Sequence, residues 1–277
     1  MRVAAVQLNS GPDKNHNLEV AERLVRGAAD DGARLVALPE KWTVLGDSEA
    51  LAAGAEPLDG PSVTRARSWA AELGIHLLAG SIAERADGGE RLFNTSPLID
   101  PEGEIAAVYR KIHMFDVEVG GVSYRESEHE QPGDEIVDGQ VDGIEVGLTV
   151  CYDLRFPELY RILALRGARV ITVPSAFTLA TGRDHWDVLL RARAIENQAF
   201  LVAPNQYGDA PPQYSSYGRS AIVDPWGVIL ARAPDGEGFC AAELDLAAQE
   251  RIRRSLPSLA NRRPEAYRWP QGVAAAA

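Results

Sequence analysis

At 277 residues, 45% of them hydrophobic and 25% charged, the chain has an ordinary globular composition and can bury a substantial core. Its formal net charge of −12 argues against a nucleic-acid binder, which normally carries a basic patch. Two cysteines and five scattered histidines give neither a disulfide framework nor zinc-motif spacing, so no metal and no cofactor are expected.

Residues 3–8 are a short apolar run that fits a buried strand. No signal-peptide anatomy precedes it and no apolar span reaches membrane length, so the expectation is a cytoplasmic protein without membrane association. A helical pattern follows over 15–31, with Leu18, Ala21, Leu24, Val25 and Ala28 on one side and Gly32 as its stop. Residues 34–39 read as a buried strand that delivers Glu40. Residues 62–73 read as a helix closed by Gly74, and 75–81 as a strand. Strands at 91–99 and 104–109 pair across the turn Asp100-Pro101-Glu102-Gly103, and the second ends at Lys111. From 115 to 138 there are glycines and many acids but little regular pattern, and such stretches in compact domains are often functional.

Residues 147–150 read as the end of a buried strand, and 151–156 make a turn into a helix that Pro157 opens and Gly167 closes. Leu159, Ile162, Leu163 and Leu165 give that helix a buried side. Cys151 therefore stands where a strand stops and a helix begins. Unpaired amides and the positive helix end there favour a thiolate and can hold an oxyanion. The same place also suits a small, inert buried thiol.

Beyond it, a strand at 169–173 leads to Ser175 and Phe177, a helix covers 184–198, and a strand at 200–203 leads to Asn205. Strands at 220–223 and 228–231 flank the turn Asp224-Pro225-Trp226-Gly227. A last strand, 239–244, holds Cys240 as inert core, and a final helix spans 246–254. Residues 255–277 form a tail without a core pattern. No linker or repeat divides the chain, so a single domain over 1–277 is expected, with its core at about 1–254. Strands alternating with helices, interrupted by strand pairs, predict an α/β layered architecture of mixed sheets.

In this reading Glu40, Lys111 and Cys151 each follow a strand, where a rigid sheet positions the loops. A carboxylate, an ammonium and a thiol make a workable amide-cleaving set. The thiol attacks the carbonyl carbon and the glutamate moves the protons. The lysine, with the Tyr152 amide, stabilises the oxyanion. Spacing alone leaves Glu40 and Lys111 equally open to being exposed loop charges.

Three segments resemble the motif regions of the nitrilase superfamily of carbon–nitrogen hydrolases: Leu38-Pro39-Glu40, Tyr109-Arg110-Lys111-Ile112-His113, and the stretch from Thr149 through Cys151-Tyr152-Asp153 to Glu158. The resemblance runs over nearly the whole chain. It implies a four-layer α-β-β-α sandwich, a Glu40–Lys111–Cys151 triad, and a second glutamate between lysine and cysteine, for which Glu126 in Tyr124-Arg125-Glu126-Ser127 is the candidate. Without the resemblance, Glu126, Glu128 and Glu130 read as a solvated acidic run.

Tyr152-Asp153 after the cysteine, together with Leu154-Arg155-Phe156-Pro157-Glu158, is similar to the branch of omega-amidases and deaminated glutathione amidases rather than to true nitrilases or carbamoylases. That branch implies a small carboxylate-bearing amide as substrate, cleaved to acid and ammonia through a thioester. Arg155 then holds the carboxylate, and Phe177 and Thr181 line the pocket. Arg183-Asp184 departs from the Pro-Ala usual there. The resemblance further implies a homodimer or higher homo-oligomer built on 157–166 and 184–198, with the tail placed to cross to the partner.

Overall fold

The computed structural model describes residues 1–268 apart from 87, 88, 90, 120 and 211–213. Among these residues the strands form a nine-stranded sheet, a six-stranded sheet and a separate two-stranded ribbon.

The first sheet is built around the strand Arg2–Leu8. This strand lies parallel to Leu35–Ala37 on one side and antiparallel to Gly238–Glu243 on the other. His76–Leu78 continues the sheet in parallel, and Phe93–Ile99 then pairs antiparallel with His76–Leu78, Ile82–Glu84 and Ile105–Arg110. Successive side chains on a strand face opposite ways, and here both faces are covered. Ala4, Val6 and Leu8 join one apolar cluster with Leu18, Leu24 and Val25 of the helix Lys14–Asp30 and with Trp69 of the helix Pro61–Leu73. Val3 and Ala5 join a second cluster with Val146, Leu148, Val170 and Ile171 of the other sheet.

That six-stranded sheet has Ile144–Leu148, Val170–Thr172 and Phe200–Ala203 running parallel at its middle. Leu159 and Leu163 of the helix Pro157–Arg166, and Trp186 and Leu190 of the helix Leu179–Asn197, pack into the same second cluster. The order is helix, sheet, sheet, helix, which is the four-layer sandwich expected.

Several boundaries differ from the sequence reading. Of the stretch 75–81 only His76–Leu78 is strand; Gly80 turns the chain at φ +49°, and a separate strand, Ile82–Glu84, follows it. The long helix starts at Leu179 rather than 184, capped by the Thr178 side chain. Asn205–Ala210 and Tyr214–Tyr217 are strands that the pattern did not suggest. The stretch after 115 holds the ribbon Asp116–Val119 and Val122–Arg125. On the helix Pro157–Arg166, Leu159 and Leu163 are buried, but Ile162 and Leu165 face outward at 39% and 48% exposure. They sit off the stripe that meets the sheet. The tail residues Arg262 to Arg268 are mostly exposed, and its residues beyond 268 lie outside the described residues.

Candidate active site

The C-terminal ends of three strands, two from the nine-stranded sheet and one from the six-stranded sheet, meet over one cavity. Leu38 and Pro39 carry the chain out of Leu35–Ala37 to Glu40, packed so closely against the next turn that a Cβ on Gly80 would lie 2.0 Å from the Pro39 carbonyl oxygen. Lys111 follows Ile105–Arg110 directly, and its amide donates to the Asn94 carbonyl (2.9 Å). Cys151 follows Ile144–Leu148 by three residues and opens a short 3-10 turn, Cys151–Arg155.

Cys151 has a φ of +48°, a left-handed conformation that costs a side-chain-bearing residue on the order of 1–3 kcal/mol and persists only where its surroundings enforce it. The enforcement is visible. Its amide donates to the Pro174 carbonyl (2.8 Å), which ties the turn to the next strand. The buried Asp153 carboxylate accepts the Val150 amide (2.8 Å), the Tyr109 hydroxyl (2.7 Å), and the His113 ring Nδ1–H (2.7 Å) and amide (3.3 Å). The His113 ring stacks on Phe156 with centroids 3.6 Å apart. One carboxylate thus joins the segment bearing Lys111 to the turn bearing Cys151.

Glu40 is 3% exposed and fully engaged. Its Oε1 accepts from Asn94 Nδ2 (2.8 Å) and Lys111 Nζ (3.1 Å), and its Oε2 accepts the Ala176 amide (2.8 Å). The same carboxylate lines the cavity with Cys151. Lys111 Nζ also donates to both oxygens of Glu126, at 2.9 and 2.8 Å, and Glu126 Oε2 accepts the Phe115 amide (2.7 Å).

Burial alone would lower the Lys111 ammonium, but Glu126 and Glu40 outweigh it and hold the pKa well above the usual range. Burial would raise Glu126, but Lys111 and Lys41 outweigh it and hold that carboxylate ionised. The thiol goes the other way. Burial, then the charge of Glu40, pushes the Cys151 pKa well above its usual value, against the pull of Lys111. The expectation that this place favours a thiolate is therefore corrected: burial and the facing carboxylate outweigh Lys111 and favour the protonated thiol.

The structure brings Glu40, Lys111, Glu126 and Cys151 together around a cavity of about 360 Å³. Of the acidic run, Glu128 stays exposed, while Glu126 and Glu130 turn inward. Two further cavity residues were not singled out from the sequence. Lys41 Nζ lies 2.6 Å from Glu130 Oε1 and 3.3 Å from Glu126 Oε1.

The Tyr152 amide stands in the first residues of the 3-10 turn, where a helix leaves donors without intrahelical acceptors. Arg155 lines the cavity with its guanidinium 5.1 Å from the Phe177 ring centroid and 5.9 Å from that of Tyr152. One of its nitrogens lies 3.3 Å from His185 Nδ1, and among the described residues it makes no ion pair. Phe177, 3% exposed, packs on Trp186 (5.0 Å) and forms cavity wall. Thr181 also lines the cavity, its hydroxyl 2.8 Å from that of Thr178. Arg183 and Asp184 are exposed and stay off the cavity lining. Cys240 is buried away from it, donating to the Ser220 carbonyl (3.3 Å). Among the described residues no group of three or more His, Cys, Asp or Glu side chains is placed to hold a metal ion, and no helix is long and apolar enough to cross a membrane.

Comparison with known proteins places this geometry. A sequence profile described as carbon-nitrogen hydrolase matches residues 2–254. Human deaminated glutathione amidase is 41% identical over 271 residues, covering 96% of this chain and 83% of that one. Mouse omega-amidase is 37% identical over 267 residues, covering 96% of each. The crystal structure of Saccharomyces cerevisiae Nit3, a member of branch 10 of the nitrilase superfamily, superposes with a TM-score of 0.85 at 32% identity, covering 93% of this chain and 94% of that one.

Proposed function

Because the chain belongs to the carbon–nitrogen hydrolase family and is an amidase, we propose that it hydrolyses a small carboxylate-bearing amide, of the 2-oxo-acid omega-amide or deaminated glutathione type, through a thioester on Cys151. The observation that carries this reading is the meeting of Cys151, on its left-handed turn, with Glu40 at one cavity, where Lys111 is held between the carboxylates of Glu40 and Glu126.

Glu40 takes the thiol proton as Cys151 Sγ attacks the amide carbon. The carbonyl oxygen becomes an oxyanion, held by Lys111 Nζ and the Tyr152 amide. Protonating Glu40 also weakens its own grip on Lys111, whose longest contact is the 3.1 Å one to Glu40, so the ammonium is released toward the new negative charge. Glu40 then protonates the leaving nitrogen, the C–N bond breaks, and ammonia departs. Water enters, gives its proton to Glu40, and attacks the thioester. Collapse of the second tetrahedral state returns the proton to sulfur and frees the acid. Asn94 and the Ala176 amide keep Glu40 aimed throughout, and Glu126 anchors Lys111.

Substrate choice follows from Arg155. A guanidinium with no ion pair among the described residues, braced over aromatic faces at the cavity wall, suits bidentate capture of a carboxylate. Phe177 and Thr181 bound the acyl chain. Ammonia release measured on the omega-amide of 2-oxoglutarate, a carbamoyl compound and an aliphatic nitrile tests the reading. The acidic amide should be preferred by orders of magnitude, and preference for the carbamoyl compound or the nitrile would overturn it.

The whole chain acts in this reading as one hydrolase domain with its core at about 1–254, in the cytoplasm, where both of its free, buried thiols stay reduced. It self-associates through the outer faces of Pro157–Arg166 and Leu179–Asn197, where Ile162, Leu165, Val188 and Ile195 lie exposed.

A further inference from the structure

We propose that Glu130 is a positioning residue for this reaction: it holds the Lys41 ammonium and so keeps that cation from drawing Glu126 away from Lys111. The inference rests on the catalytic reading of Lys111 and Glu126 given above.

The geometry begins with the backbone. Consecutive residues in an extended segment point to opposite sides, yet Glu40 and Lys41 both turn into the cavity, at 3% and 9% exposure. Lys41 does this by adopting a left-handed φ of +53°, with its amide fixed on the Ser81 hydroxyl (3.0 Å). Glu126 and Glu130 reach the same place across one turn, closed by the Glu130 amide on the Glu126 carbonyl (2.9 Å).

Glu126 Oε1 is then shared by two ammonium groups. Lys111 lies 2.9 Å from it and Lys41 lies 3.3 Å away. Lys41 is kept at the longer distance because its closer partner is Glu130, at 2.6 Å. Glu130 is 1% exposed, so little water can replace it as a partner for Lys41. Its second oxygen has no hydrogen-bond partner among the described residues, so Lys41 is its only polar anchor there. Take Glu130's charge away and the buried Lys41 is left with Glu126 as its nearest carboxylate. Glu126 would then be divided between two cations, and Lys111 would lose part of the anchor that aims it at the oxyanion.

The charge on Glu130 is also adjustable near neutrality. Burial pushes its carboxyl up to about 7, with Lys41 opposing and Glu126 reinforcing the rise, and Lys111 also facing it. Acidification should therefore do to the wild type what removal of the charge does by mutation.

The test is a double-mutant cycle on the full chain, with the omega-amide of 2-oxoglutarate as probe. Glu130→Gln should lower kcat roughly tenfold to a hundredfold, the size of one charge-assisted hydrogen bond, with KM changed by no more than about twofold because the lost contact belongs to the transition state. Lys41→Met removes the competing ammonium and should lower kcat by no more than about threefold. The decisive variant is Lys41→Met with Glu130→Gln, which should be more active than Glu130→Gln alone. A purely structural pair would instead give losses that add or a rise in KM, and either result overturns the inference. A second measurement needs no Glu130 variant: the acid limb of kcat near pH 7 in the wild type should flatten in Lys41→Met. Identical limbs in the two proteins would overturn it as well. Lys111→Met separates the two levels of reading. If that variant keeps wild-type activity the catalytic reading fails; if it is inactive while the cycle is additive, only this inference falls.

Discussion

Replacing Asp153 with asparagine should damage stability and catalysis together, for reasons that can be counted atom by atom. The native carboxylate is 0% exposed and only accepts: its Oδ2 takes the Val150 amide and the Tyr109 hydroxyl, and its Oδ1 takes the His113 amide and ring N–H. An asparagine offers one oxygen and one NH₂ group. In either orientation the NH₂ meets a backbone amide donor, Val150 on one side or His113 on the other, so at least one buried N–H loses its acceptor. That costs about 1–3 kcal/mol, and loss of the charge from the remaining bonds adds about 1–2 kcal/mol. A total of about 2–5 kcal/mol corresponds to a fall of roughly 5–15 °C in Tm for a chain of this size. The same carboxylate joins the Lys111 segment to the left-handed Cys151 turn, so both side chains should drift; on the proposed mechanism a shift of about 1 Å lowers kcat about a hundredfold. Differential scanning calorimetry and steady-state ammonia release measure the two effects. A variant that melts within about 2 °C of the wild type and keeps its kcat would refute the assignment of Asp153 as the brace.

Arg155→Lys keeps the charge but loses the planar fork, and kcat/KM on an acidic omega-amide should fall roughly tenfold to a hundredfold, with a smaller fall on a neutral short-chain amide; equal falls on both would make Arg155 structural. Glu130, pushed up to about 7 when folded, binds its proton in the native state between the ordinary carboxylate range and that value while the unfolded chain does not. Its contribution to stability is therefore full at low pH and lost as the pH rises through about 7, so urea melts should show the wild type losing ground against Glu130→Gln between pH 5 and pH 8, and the opposite trend would contradict the shift. Val188, the most exposed of the outward apolar residues on Leu179–Asn197 at 64%, should weaken self-association when changed to Glu; sedimentation of the wild type as monomer alone at micromolar concentration would end that proposal.

What the sequence revealed depended on how local the signal was. The helix Lys14–Asp30 announces itself because its apolar residues repeat at the helical period, and Leu18, Ala21, Leu24, Val25 and Ala28 are all buried; the strand Arg2–Leu8 does so as a short apolar run covered on both faces. Asn205–Ala210 escaped notice because a strand of Asn, Gln, Tyr, Gly, Asp and Ala has no apolar alternation; its register comes from pairing with Arg2–Leu8 and Tyr214–Tyr217. Glu40, Lys111 and Cys151 were legible through their places after strands and through the motifs around them. Glu130 and Lys41 were not. A lysine beside a glutamate and one acid among several carry no mark of burial, and their pairing spans 89 positions. The resting state of Cys151 was misjudged for a similar reason: the sequence shows a helix nearby, whereas the opposing carboxylate arrives from Glu40, far along the chain. The spacing of Glu126 and Glu130, four apart across a turn, is the one local signal that separates them from the exposed Glu128.

Ammonia release from the omega-amide of 2-oxoglutarate by Cys151→Ala and by Cys240→Ala, each verified as folded by its melting curve, tests most directly whether Cys151 is the nucleophile. Cys151→Ala should fall to the uncatalysed background while Cys240→Ala, altered only in a buried thiol outside the cavity, stays close to wild type. Substantial hydrolysis by Cys151→Ala would contradict that role.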